Sequence, residues 1–219
     1  MRRQPQPQPQ RQRQRQRTGL VAVECLESRR LMAGNVSFTL DAAEVWQIIG
    51  DNQSNAVDFE YVDGAITVTG LNGTTVNGAA FATLPTPVAT ASVNFDMGNG
   101  DDFVAFDQDT LGGGIVSMPV TITTGKGHDT VSCFDWTFED GLSIDTGKGN
   151  DTVRLEDVGI DSAASIDTGK GSDSVIFGGS IAGNGSLTID GGNGADSTSG
   201  IALVGGGITQ TIIEVETVG

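Results

Sequence analysis

Aspartate recurs beside glycine at a fixed place in this chain, and a repeated set of oxygens is what a hard cation needs. The loops read DMGNGDD at 96–102, TTGKGHD at 123–129, DTGKGND at 145–151, DTGKGSD at 167–173 and DGGNGAD at 190–196. Each places a carboxylate after its glycines: Asp102, Asp129, Asp151, Asp173 and Asp196. A second set, Asp145, Asp167 and Asp190, opens the later loops. The glycines Gly125, Gly127, Gly147, Gly149, Gly169, Gly171, Gly192 and Gly194 let the chain turn through positive φ and bring carbonyls together. Calcium takes roughly six to eight oxygens from carboxylates and carbonyls, so these aspartates and glycines are the candidate metal ligands. The competing use is structural, each aspartate capping its own turn through a side-chain to backbone bond.

The loops are evenly spaced. Their second glycines stand at 100, 127, 149, 171 and 194, separated by 27, 22, 22 and 23 residues. A period in this range signals a solenoid, whose units bury their apolar faces only by stacking on neighbours. Before the loops, Val120/Ile122, Leu142/Ile144, Ala164/Ile166 and Leu187/Ile189 alternate with polar residues. After them, Val104/Phe106, Val131/Cys133, Val153/Leu155 and Val175/Phe177 do the same. Period two means strands, and helical spacing is nowhere sustained. The expected fold is all-β: a right-handed parallel β-helix, or β-solenoid, of about 22 residues per coil. Stacking would set like residues about 4.8 Å apart, drawing the carboxylates into two ladders. Adjacent like charges at that distance cost roughly 1 kcal/mol each even in water. Lys126, Lys148 and Lys170 offset part of this, and a bridging divalent cation would offset more.

The rest of the chain fits around that core. Looser coils are expected from Val36, with insertions near 77–94 and 106–118. Phe134, Trp136 and Phe138 read as filling for a wide corner, with an exposed aromatic ligand patch as the alternative. Ile208–Val218 alternates well and would close the core, leaving an edge able to pair with another chain. Two domains follow: a disordered Arg/Gln/Pro-rich leader at 1–34, and the repeat domain at 35–219.

Charge divides at the same boundary. The leader holds eight arginines against Glu24 and Glu27, about +6. The repeat domain holds Arg154 and three lysines against 26 acidic residues, about −22. An acidic body repels phosphate backbones, so it is not expected to bind nucleic acid. The leader itself reads as a solvated arm, the alternative being a basic arm for nucleic acid or anionic membrane. No apolar run is long enough to span a membrane.

Other chemistries find little support. Cys25 and Cys133 lie far apart and write no disulfide framework; Cys133 falls at a core position. One histidine, His128, cannot make a zinc site with one remote thiol, and no nucleophile–base set exists. Gly-Lys-Gly lacks the Ser or Thr that a phosphate-binding loop places after its lysine. A polysaccharide lyase would use calcium at the aspartates with Arg154 as base, but a catalytic site should interrupt a repeat rather than obey it.

The loop resembles the nonapeptide calcium repeat of RTX (haemolysin-type) proteins, G-G-x-G-x-D-x-U-x. Gly191-Gly192-Asn193-Gly194-Ala195-Asp196 matches its first six positions. Thr124–Val131, Thr146–Val153 and Thr168–Val175 match with threonine replacing the first glycine. RTX coils carry the repeat on both sides; here it appears once per coil, so the resemblance implies calcium along one edge only. Separately, Leu26-Glu27-Ser28-Arg29-Arg30-Leu31-Met32-Ala33-Gly34 resembles the LEPR-XLL segment that precedes many surface or secreted proteins of planctomycete bacteria. That resemblance implies export, although the apolar GLVAV is short for a standard signal. The resulting expectation is an exported structural or adhesive module of the cell surface, stabilised by calcium, with surface or extracellular-matrix components as partners. The alternatives are a carbohydrate-active β-helix enzyme and an acidic buffer of divalent ions.

Overall fold

The computed structural model describes residues 34–62, 65–85, 92–107, 113–200, 203–213, 215 and 217–218. Residues 1–33, with Cys25 and all of the LEPR-XLL-like segment at 26–34 except its last residue, lie outside them. All regular structure among the described residues is β, and none of it is a helix long and apolar enough to cross a membrane.

The chain winds as a parallel β-solenoid. One side of each coil is a short strand: Val45–Ile49, Ser92–Asp96, Val120–Thr123, Leu142–Asp145, Ala163–Asp167, Ser186–Asp190 and Thr209–Ile213. These pair parallel and in register, Val120 on Leu142, Leu142 on Ala164, Ala164 on Leu187. The Gly-Asp loop leads to a second side, where Thr130–Phe134 pairs parallel with Phe103–Asp107 below and with Thr152–Ile160 above. Every residue of the apolar pairs that alternate about the loops is buried, Cys133 included. Cys133 is a free thiol whose burial pushes its pKa up to about 12, so it acts as a small hydrophobe.

The coil has a third side. Trp136–Phe138 pairs parallel with Gly114–Val116 on one side and with the end of Thr152–Ile160 on the other. Its inward residues, Trp136, Phe138, Val158, Ile160 and Ile181, are buried. The chain enters this side through a left-handed corner formed by Asp135 (φ 57°), Asp157 (φ 53°) and Gly179 (φ 59°). Aspartate and glycine are among the residues that tolerate that conformation. Trp136 and Phe138 therefore fill the interior as expected, while Phe134 points outward and is 40% exposed. The insertion at 106–118 also resolves in part, since Gly114–Val116 is the third side of its own coil.

The N-terminal end departs from the expected looser coils. Asn35–Leu40 pairs antiparallel with Val45–Ile49, and Ala65–Gly70 runs antiparallel to both Ala56–Val62 and Phe81–Pro85. These hairpins bury Val36, Phe38, Ile66, Val68 and Val76 against the first coil. They cap the stack rather than extend it. An alternating strand looks alike in sequence whether its neighbour runs parallel or antiparallel, because both present one apolar face.

Candidate functional site

The Gly-Asp loops stack on one edge, and their two sets of aspartates separate. Asp102, Asp129, Asp151, Asp173 and Asp196 turn inward and are buried, at most 3% exposed. Asp145 and Asp167 are exposed, and Asp190 is half-buried. All three line an open groove of about 510 Å³, together with Lys126, Lys148 and Lys170.

The inner aspartates bond across coils. Oδ1 of Asp102 accepts from the Asn55 amide at 2.7 Å, and Oδ1 of Asp129 from the Asp102 amide at 2.7 Å. Asp151 accepts from Asp129 at 2.8 Å, Asp173 from Asp151 at 2.7 Å and Asp196 from Asp173 at 2.8 Å. Each side chain reaches back to the preceding coil. A second row at the adjacent position reaches forward. Asp101 Oδ1 accepts from the His128 amide at 2.8 Å, His128 Nδ1 from the Asn150 amide at 2.9 Å, and Asn150 Oδ1 from the Ser172 amide at 2.9 Å. Successive coils are thus laced in both directions. Accepting through Nδ1 means that the ring proton of His128 sits on Nε2.

The threonines at the second position of the loops have a place in this scheme. Thr124, Thr146 and Thr168 are buried, and their hydroxyls donate to the next coil's carbonyls, Thr146, Thr168 and Gly191, at 3.2, 3.2 and 3.1 Å. The glycine carbonyls are engaged as well. Those of Gly98, Gly125, Gly147 and Gly169 accept from the amides of Lys126, Lys148, Lys170 and Asn193 at 2.8–3.1 Å. Those of Gly100, Gly127, Gly149 and Gly171 lie under the next coil's glycine, so close that a Cβ there would sit 1.3–1.7 Å away.

This geometry tests the loop as a calcium site. A calcium ion needs several uncommitted oxygens converging on one point. In the inner row one carboxylate oxygen takes an amide, and the glycine carbonyls either accept amides or are covered. Among the described residues, the outer row included, no group of three or more His, Cys, Asp or Glu converges on one point, so an ion at either row would draw on at most two carboxylates. In the inner set, with Gly125, Gly127, Gly147, Gly149, Gly169 and Gly171, these carboxylate and carbonyl oxygens serve the stack, and Gly192 and Gly194 seat the last loop on Gly169 and Gly171. The outer set keeps its carboxylates at the groove. Asp190 also caps its own loop, Oδ1 accepting from Gly192 at 3.0 Å, the turn-capping role that sequence reasoning offers as an alternative.

Electrostatics follow the same division. Burial raises the carboxyl of Asp102 to about 7, held back by the Asn55 amide. Burial likewise raises Asp151 to about 6, and raises Asp129 and Asp173. Asp145 is raised by partial burial and then by the like charge of Asp167. Elsewhere, burial lifts Asp58 to about 6, with Glu60 and Asp107 adding like charge.

Arg154 lies apart from the groove. It faces outward on the second side and pairs with Glu156, the one ion pair among the described residues. A half-exposed pair of this kind is worth little. Arg154→Ala is expected to change stability by less than about 0.5 kcal/mol in a denaturant titration.

No protein-family model, curated protein or solved structure matches the chain.

Proposed function

We propose that the chain is an exported structural or adhesive module of a cell surface. One observation carries the reading: the repeated polar groups of the loops are spent on bonding coil to coil. Amides, carboxylates, threonine hydroxyls and a histidine all serve the stack, which is how a scaffold uses its polar residues. The LEPR-XLL-like segment supports export, and surface or matrix components are the partners proposed.

Calcium enters this proposal at the outer row. Asp145, Asp167 and Asp190 stand in register along the groove, where an ion would relieve their mutual repulsion. The test is thermal unfolding of the full chain in EDTA and in about 1 mM calcium, the range of extracellular modules. With a Kd of about 0.1 mM, tenfold below that concentration, binding would add about 1.4 kcal/mol, a rise of about 3–6 °C for a domain of this size. Asp167→Asn should shrink the rise. An unchanged melting temperature sinks the calcium part and leaves the scaffold standing. Activity on an acidic polysaccharide that Arg154→Ala abolishes would replace the scaffold with a lyase.

A further inference from the structure

We propose that the strand Thr209–Ile213 is a self-association edge, on which a second copy of this chain pairs antiparallel, centred on Gln210. The pairing is independent of what the module adheres to. At the capped end of the stack both sheet edges are blunted. One sheet finishes there in Thr75–Val76, two residues long, and the other in Phe81–Pro85, which closes on a proline. Thr209–Ile213 lies at the opposite end, is five residues long, and has no partner on its outer side among the described strands. It holds no proline, and no residue from 197 to 213 is charged. Short strands, prolines and charges are how edges avoid pairing, and this edge uses none of them.

The backbone shows which groups are free. The Thr209 amide donates to the Gly185 carbonyl at 3.2 Å, and the Ile213 carbonyl accepts from the Gly191 amide at 3.0 Å. In a parallel pair alternate residues serve one neighbour, so Thr209, Thr211 and Ile213 bond to the coil below. Gln210 and Ile212 then turn N–H and C=O outward. These groups suit an antiparallel partner, with Gln210 exchanging both bonds with the second copy's Gln210.

The side chains select that register. Ile208, Gln210 and Ile212 are half-buried, whereas Leu187 and Ile189 of the coil below are fully buried. Gln210 continues the inward column of Val120, Leu142, Ala164 and Leu187, and its Nε2 is buried with no acceptor. Centring the pair on Gln210 sets amide against amide, each offering the acceptor that the other lacks. It also sets Ile208 against the second copy's Ile212. Centring one residue later, on Thr211, would place Gln210 against Ile212 and leave the amide unsatisfied. On the outer face, the Gln210 register seats Ile213, 43% exposed, over the second copy's Gly207. No atom lies nearer than 4.0 Å to a carbon added at Gly207, so the space is open. Every contact is repeated by the two-fold axis, which makes a closed pair rather than a filament.

Charge favours the same surface. The repeat domain carries about −22, so two copies repel wherever their acidic faces meet. An uncharged edge is where they can approach, and salt should tighten the association by screening the remaining repulsion.

The test is sedimentation equilibrium of the full chain over a concentration series at low and high salt. Wild type should reach twice the chain mass, at lower concentration in high salt. Gln210→Pro removes the outward N–H and leaves the bonds to the coil below, as proline is tolerated on an edge. It should sediment as a single chain with an unchanged circular dichroism spectrum. A cross-link reads the register, in a Cys25→Ser background. Gln210→Cys should form a disulfide-linked pair on oxidation, since directly opposed residues lie about 5.5 Å apart between Cα atoms, within disulfide reach. Thr211→Cys, opposite Thr209 rather than itself, should not. A single-chain mass for wild type at every concentration, open-ended assemblies, or association that weakens in high salt would each overturn the proposal. So would a Gln210→Pro variant that still pairs, or cross-linking through Thr211→Cys and not Gln210→Cys.

Discussion

Gly149→Ala is expected to lower stability by about 3–5 kcal/mol, as far as single substitutions ordinarily go. Two independent costs meet at this residue. Its φ is 146°, a conformation that L side chains rarely adopt. A Cβ would also stand 1.4 Å from the Gly127 carbonyl oxygen of the coil below and 3.0 Å from Asp151 Oδ1. The obstruction is backbone and cannot swing aside. Relief requires the coils to part, which would stretch the Asp129–Asp151 bond and the bond from the Gly127 amide to the Lys148 carbonyl together. For a domain of this size the melting temperature should fall by about 10–15 °C, read by circular dichroism. Gly78→Ala is the control: its φ of 77° carries a backbone cost alone, with nothing within 4 Å of the added carbon. If both variants lose the same amount, close packing of the loops is not what fixes the second glycine.

That contrast bears on what the sequence reveals. The apolar pairs about each loop are legible because a strand repeats every two residues and the coil every 22 or so, and the two periods coincide only in a stacked fold. The third side is harder to read. It contributes two or three inward residues per coil, such as Trp136 and Phe138, and follows a one-residue left-handed corner, aspartate at 135 and 157 but glycine at 179. The signal exists in Val158/Ile160 and Ile181, each after Asp157 or Gly179, but it is too short to separate from corner filling. The inner aspartates show a different limit. Spacing places Asp129 and Asp145 on one edge, yet it does not say which turns inward. That depends on the direction each loop side chain takes from the backbone. The buried threonines were the available clue, because a residue replacing glycine in a tight loop needs a reason, and Thr124 has one in its bond to the next coil.

The laced edge and the apolar interior divide the work of a scaffold. Each polar row joins a coil to its immediate neighbours, so stiffness along the axis is built locally, as in other repeat folds. Local construction also confines damage. A defect in one coil should weaken the contacts above and below it more than those further along.

Phe106→Ala tests that confinement with the other large effect. Phe106 is fully buried at the centre of an aromatic cluster, its ring 4.8 Å from Phe59, 5.5 Å from Phe95, 5.5 Å from Trp136 and 5.8 Å from Phe138. These rings come from all three sides of the coil, so one side chain ties the sides to one another. Truncation removes the transfer energy, leaves a cavity that four rigid rings cannot readily fill, and breaks an edge-on contact with Trp136 at 89°. The expected loss is about 3–5 kcal/mol. In the same column the next coils carry Cys133 and Leu155, smaller side chains that are also fully buried. Cys133→Ala should therefore cost far less, about 1 kcal/mol. Hydrogen exchange distinguishes local from global failure. In Phe106→Ala, amides of Ala56–Val62 and Thr130–Phe134 should lose protection before those of Ala163–Asp167 and Ser186–Asp190. Equal loss throughout would mean that the stack unfolds as one unit, with its coils too tightly coupled to fail separately.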